Sequence, residues 1–183
     1  GVEIAGAQID TPLAASMARS IDEMDGIVGQ FLQFASSAEA EAPTRASLND
    51  LAQAVAEAQA DHGRALPLEL VPLPDVPVRP QALRRLLCNL LDNALKFAGA
   101  AELTLEVERP GQWLVRVLDR GPGIPQADLA TVLQPYVRLE DSRNRGTGGT
   151  GLGLAIASEL AKALGGRLVL GPRMDGAQGL EAR

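Results

Sequence analysis

Glycines alternate with other residues in Gly149-Thr150-Gly151-Leu152-Gly153-Leu154, and an apolar, alanine-rich run through Ile156 and Leu160 to Leu164 follows at once. Glycine permits φ > 0 and a close approach of backbone to a ligand. The run after it has helical period. The free N–H groups of its first turn, with the positive end of the helix dipole, therefore lie beside the glycines. That combination favours an anion, phosphate foremost. Two common phosphate motifs do not account for it. Gly146-x-Gly148-x-x-Gly151 has dinucleotide spacing, but RLEDSRNR ahead of it is no buried strand, and no Gly-Lys pair exists to make a Walker-type loop.

A second stretch points the same way. Pro80 opens a helix whose apolar side is Leu83, Leu86, Leu87, Leu90, Leu91, Ala94 and Leu95. Its polar residues Asn89, Asp92, Asn93 and Lys96 follow i, i+3, i+4, i+7 spacing, which predicts one shared face. Asn and Asp are poor helix formers, and solvated helix faces are usually Glu, Lys, Arg and Gln. The face is therefore expected to serve a ligand. Carboxamide oxygens suit a hard cation such as Mg²⁺, which also takes phosphate oxygens. Lys96 would neutralise phosphate charge, and Phe97 offers a flat apolar face to a base.

Strict alternation over Glu102–Glu108 and Trp113–Leu118, with Pro110-Gly111 between, predicts a hairpin. Asp119 ends it and is followed by Arg120-Gly121-Pro122-Gly123-Ile124. A carboxylate closing an apolar strand is partly buried and needs donors. The exocyclic amino group of a purine would serve; the alternative is a turn-initiating Asp beside Pro-Gly.

The rest of the chain reads as scaffold. Met17, Ile21, Met24, Val28, Phe31 and Ala35 form a heptad seam that needs a partner helix. Ser36–Ala46 is small, polar and proline-containing, and reads as a linker. A short helix over Leu51, Val55 and Ala58 is expected next, capped by Asn49 or Asp50. Strands are expected at Leu68–Val71, at Arg167–Leu170 and from Leu180, with a long loop over 120–150 and a helix from Leu152 to Leu164. A net charge of −6 argues against a nucleic-acid face. Cys88, the sole cysteine, sits in an apolar helical run and reads as a structural thiol. No apolar run reaches the ~18 residues of a membrane span, no signal peptide is expected in this stretch, and Gly1 in place of Met suggests a piece of something longer.

In register, these stretches resemble the boxes of sensor histidine kinases. Asn89–Phe97 is similar to the N box, Asp119–Gly123 to the G1 box and Gly149–Leu154 to the G2 box. Leu133-Gln134-Pro135-Tyr136-Val137-Arg138 resembles the F box, with Leu and Tyr for the usual pair of Phe. Ser16–Ala35 is most similar to the osmosensor-type subgroup. The resemblance implies an α/β fold, the two-layer Bergerat-type sandwich with a mixed sheet. It places a catalytic ATP-binding domain at 43–183, and a remnant of the dimerisation and phosphotransfer hairpin with its linker at 1–42.

The resemblance also implies roles. Asn93 would hold Mg²⁺, with Asn89 near it; Lys96 and Arg138 would meet phosphate, with Arg143 and Arg145 as weaker candidates. Phe97, Ile124 and Tyr136 would border the nucleotide, Asp119 would accept from adenine, and Gly121 and Gly123 would let the chain pass the base. Thr150 would reach adenine through water. Gly149, Gly151, Leu152, Gly153 and Leu154 would carry backbone N–H groups to the phosphates. The implied partners are ATP, a second protomer through the hairpin, and a response regulator, on the cytoplasmic side of a bacterial inner-membrane protein.

Gyrase, heat-shock-chaperone and mismatch-repair ATPases of the same fold carry a Glu where this chain has Asn89, which cannot act as a base. Slow hydrolysis and transfer to an acceptor are therefore expected; the alternative is an ATP-hydrolysing or nucleotide-sensing module. The only histidine, His62 in Ala60-Asp61-His62-Gly63-Arg64, does not fit the phosphoacceptor context and reads as a surface residue. The chain is thus expected not to phosphorylate itself.

Overall fold

The structure is a computed structural model that describes residues 41–60, 66–139 and 150–183. By contacts the chain separates into Gly1–Ala35 and Ser36–Arg183. The heptad helix expected over 12–37, His62, Arg143, Arg145 and Gly149 lie outside the described residues.

Strand β1 (Thr44–Ala46) leads into helix α1 (Leu48–Ala60), and strands β2 (Leu68–Leu70) and β3 (Val76–Val78) precede helix α2 (Pro80–Ala98). The expected hairpin is β4 (Ala101–Arg109) and β5 (Gln112–Asp119). A 3-10 turn at Thr131–Leu133, helix α3 (Gly153–Ala163) and strands β6 (Leu170–Pro172) and β7 (Leu180–Ala182) follow. The main sheet runs β2-β4-β5-β7-β6, parallel between β2 and β4 and antiparallel elsewhere.

Period two sorts this sheet into two faces. Ala101, Leu103 and Leu105 stand opposite Asp119, Val117 and Val115, and Val117 opposite Ala182. This apolar face lies against α2, which also packs on α1 and α3. The other face carries Glu102, Thr104, Glu106, Arg116 and Glu181. Helices on one side of a mixed sheet make the two-layer α/β sandwich.

Helix α2 begins at Pro80, and Gly99, at φ 74°, ends it by donating to the Leu95 carbonyl. Its N-terminus has no cap from Arg79. The Glu41 carboxylate instead accepts from the N–H groups of Gln81 and Ala82 at 2.9 and 3.0 Å, a favourable charge at the positive end of the dipole. Leu87 and Leu91 are its fully buried side chains. Leu91→Ala is expected to cost about 3 kcal/mol, through lost burial and the cavity left behind. Urea unfolding checks this as a lower midpoint at unchanged slope.

Three local expectations need correction. Residues 44–46, read as linker, form β1 and pair antiparallel with β3. Strands this short, beside proline, show no alternation to read. Helix α1 is capped by Ser47, whose hydroxyl accepts from the Asp50 N–H at 3.1 Å, and not by Asn49 or Asp50; Asn49 donates to the Val71 carbonyl instead. The strand read at Arg167–Leu170 is β6, Leu170–Pro172. Its bounds are set by the partner β7, and the edge position tolerates Pro172.

Candidate functional site

A cleft open to solvent lies between α2, α3 and the sheet. Asn93 and Ala94 of α2, Asp119 of β5, Leu154 of α3 and Leu180 of β7 help line it. Alternation along β5 puts Asp119 on the helix-facing side, at the strand end. It is buried, at 6% exposure, and its Oδ1 accepts from Gly121 N–H at 2.8 Å and Leu180 N–H at 3.1 Å. Oδ2 takes part in neither bond. Gly121 fits tightly between Asp119 Oδ1 and Ala98 Cβ, Gly123 carries the turn onward at φ 75°, and Ile124 packs half-buried against the core.

The polar face expected on α2 divides. Asn93 turns into the cleft. Asn89 donates through Nδ2 to the Arg85 carbonyl at 2.8 Å, and its Oδ1 lies beside Gly153 at the start of α3. Asp92 departs from the set, with Gln59 of α1 donating to it at 3.4 Å on an exposed flank. Lys96 Nζ stands 5.1 Å from the centre of the Phe97 ring, which is exposed at 40%. Burial, and secondarily the charge of Arg138, hold the Lys96 ammonium below its ordinary pKa. Two cations from different segments therefore converge, an arrangement that an anion between them would relieve. Burial, and then the charge of Asp92, push the half-buried Cys88 thiol up, which disfavours its thiolate.

Gly151 abuts the segment carrying Tyr136 and Arg138. Tyr136 N–H donates to Gly151 O at 3.0 Å. Gly151 has φ 71°, and a Cβ there would stand 2.9 Å from the Tyr136 carbonyl carbon, so no side chain fits. Tyr136 itself is left-handed at φ 64° and 62% exposed. Leu152, buried, is the N-cap of α3 and gives no side-chain hydrogen bond. The first-turn N–H groups from Gly153 onward are thus not taken up by a cap. Thr150 is half-buried just before it.

Sequence reasoning missed a polar cluster behind Asp119. Arg173, with its side chain 3% exposed, donates to both carboxylate oxygens of Glu102 (3.2 and 3.3 Å), to Asp175 (2.6 Å) and to the Asp119 carbonyl (3.3 Å). Arg120 donates to Glu102 as well, at 3.2 Å. Gly179, at φ 142°, presses on the Asp119 carbonyl from the same side. A lone Arg in a polar turn carries no signal of such burial; a glycine just before a strand is a weak one.

Arg173 foremost holds the Asp175 carboxyl at about 2 rather than 3.8, and the Glu102 carboxyl is lowered chiefly by the same guanidinium. A carboxyl depressed on folding adds stability above its unfolded value, and that stability is lost as pH falls through its folded value. For Asp175 the window runs from 3.8 down to about 2. NMR titration is expected to give that low midpoint; a midpoint at 3.8 would mean that the pair does not form in solution.

Among the described residues no helix is long and apolar enough to cross a membrane. Residues 78–180 match the family of histidine kinase-, DNA gyrase B- and HSP90-like ATPases. The sensor histidine kinase GtrS of Pseudomonas aeruginosa is 36% identical over 91% of this chain, which spans 34% of that protein. The sensor protein TorS of Escherichia coli is 47% identical over 49% of the chain, spanning 9% of its own length. Among solved structures, full-length ShkA in complex with AMPPNP superposes over 94% of the chain and 36% of its own, with a TM-score of 0.71 and 27% identity. The mycobacterial sensor histidine kinase MprB shares the fold, with a TM-score of 0.62 at 24% identity, over 78% of this chain and 93% of that one. The chain thus spans about a third of one of these curated relatives and less than a tenth of the other. With more than half of its length matched, it belongs to the histidine kinase-, DNA gyrase B- and HSP90-like ATPase family, as the catalytic ATP-binding domain of the sensor histidine kinase type.

Proposed function

We propose that the chain binds ATP in the cleft between α2, α3 and β5 and presents its γ-phosphoryl group to a histidine on a dimerisation helix, for relay to a response regulator. The observation that carries this reading is convergence: Asn93 and Asp119 face one cleft at the N-terminus of α3. Asp119 accepts from the adenine amino group, while Phe97, Ile124 and Tyr136 border the nucleotide and Gly121 and Gly123 leave room for the base. Thr150 reaches adenine through water. Backbone N–H groups of Gly149, Gly151, Leu152, Gly153 and Leu154 take the phosphates, and Lys96 and Arg138 neutralise them.

Among the described residues no group of three or more His, Cys, Asp or Glu is placed to hold a metal. A site built from one carboxamide and the phosphates of the ligand fits Mg²⁺, which keeps several waters and takes few protein ligands. Asn93 would hold it, with Asn89 alongside. Bound there, Mg²⁺ would offset phosphate charge. Asn89 offers an amide and no base for water, which favours transfer over hydrolysis.

In the whole protein we place this domain at 43–183, after a remnant of the dimerisation and phosphotransfer hairpin with its linker at 1–42; the complete hairpin would join two protomers, on the cytoplasmic side of a bacterial inner membrane. Incubating the chain with γ-labelled ATP, Mg²⁺ and a separately supplied histidine-bearing hairpin tests the reading. Acid-labile phosphate is expected on the hairpin and none on the chain. Release of inorganic phosphate with the hairpin unlabelled would establish a hydrolase instead.

A further inference from the structure

A buried guanidinium is costly unless its donors are met, and Arg173 meets its own with oxygens from three separate places. Glu102 belongs to β4, Asp175 to the turn between β6 and β7, and the Asp119 carbonyl to the end of β5. Arg120, next to Asp119, closes the ring by bonding Glu102. The turn held by Asp175 runs on to Gly179 and Leu180. Leu180 N–H binds Asp119 Oδ1, and Gly179 packs on the Asp119 backbone. Arg173 thus restrains both the main chain of Asp119 and the segment that fixes one of its carboxylate oxygens. It is not among the residues lining the cleft, so its action on a ligand is indirect.

We infer that Arg173 is the positioning residue for base recognition: through Glu102, Asp175 and the Asp119 carbonyl it fixes the direction in which Asp119 offers its second oxygen to the cleft. The inference rests on the proposed adenine contact of Asp119. Its consequence is selective. Without Arg173 the Asp119–Arg120 turn and the Asp175–Leu180 turn are held only by the Leu180 bond to Asp119 Oδ1 and the Gly179 contact, and the carboxylate meets the base in a wider spread of orientations. Contacts to phosphate come from α2, α3 and the segment after the 3-10 turn, and do not depend on that tie.

Calorimetry on the whole chain with Mg·ATP and, separately, with inorganic tripolyphosphate separates the two effects. Arg173→Gln is expected to weaken ATP about tenfold, the loss of one charge-assisted hydrogen bond, and to leave tripolyphosphate unchanged. Arg173→Lys, which keeps the charge and loses the planar fork, is expected to fall between. Should Arg173→Gln fail to fold by circular dichroism, Asp175→Asn, at the exposed end of the ring, carries the same comparison with a smaller loss confined to ATP. Equal losses for both ligands, or no loss for either, would overturn the inference. A wild-type chain that binds tripolyphosphate but gains nothing from the adenosine would instead overturn the proposed adenine contact.

Discussion

Gly179→Ala is expected to destabilise the chain by about 4 kcal/mol and to remove nucleotide binding with it. Gly179 stands at φ 142°, a conformation that essentially only glycine adopts. A Cβ there would lie 1.9 Å from the Asp119 carbonyl oxygen and 2.8 Å from its carbon. Both atoms are main chain, so no rotamer relieves the overlap; β5 and the start of β7 must move apart. That movement breaks the bond from Leu180 N–H to Asp119 Oδ1 and strains the Arg173 contact to the carbonyl. Thermal unfolding and ATP calorimetry on one preparation check both halves. A variant as stable as the wild type would show that the two strands do not meet in this way.

Asp119→Asn has the opposite profile, with a large effect on binding and a small one on the fold. The amide oxygen can accept the Gly121 and Leu180 N–H bonds that Oδ1 now holds. The amide nitrogen then stands in place of Oδ2, and two donors would face each other at the proposed contact with the adenine amino group. A site built to receive a donor loses about a hundredfold in affinity when it offers one instead. The melting temperature should move by a few degrees at most. Unchanged ATP affinity would mean that the base lies elsewhere.

The same site shows what a sequence exposes and what it hides. Asp119 was legible because alternation through Val115 and Val117 carries it to the helix-facing side of a strand, before a glycine turn. The face of α2 was legible as a set of poor helix formers, although Asp92 turned out to pair toward α1. The glycine run was legible for its spacing ahead of an apolar helix. What holds Asp119 in place was not legible. Leu180 N–H lies 61 residues away along the chain, and Glu102 and Arg173 lie 71 apart. Such bonds exist only once β7 has been laid beside β5, and no local pattern announces them. The β1–β3 pair was missed for a related reason, since three-residue strands beside Pro77 take their conformation from each other.

Central to this account is that ATP enters between Asp119 and the first turn of α3. An amide NMR titration of the whole chain with a magnesium-loaded, non-hydrolysable ATP analogue tests it most directly. The largest shifts are expected at Gly121 and Leu180, whose N–H groups share Asp119 Oδ1, and at the first residues of α3 from Gly153. Saturation with those amides unmoved, or with shifts confined to the opposite face of the sheet around Arg116 and Glu181, would contradict it.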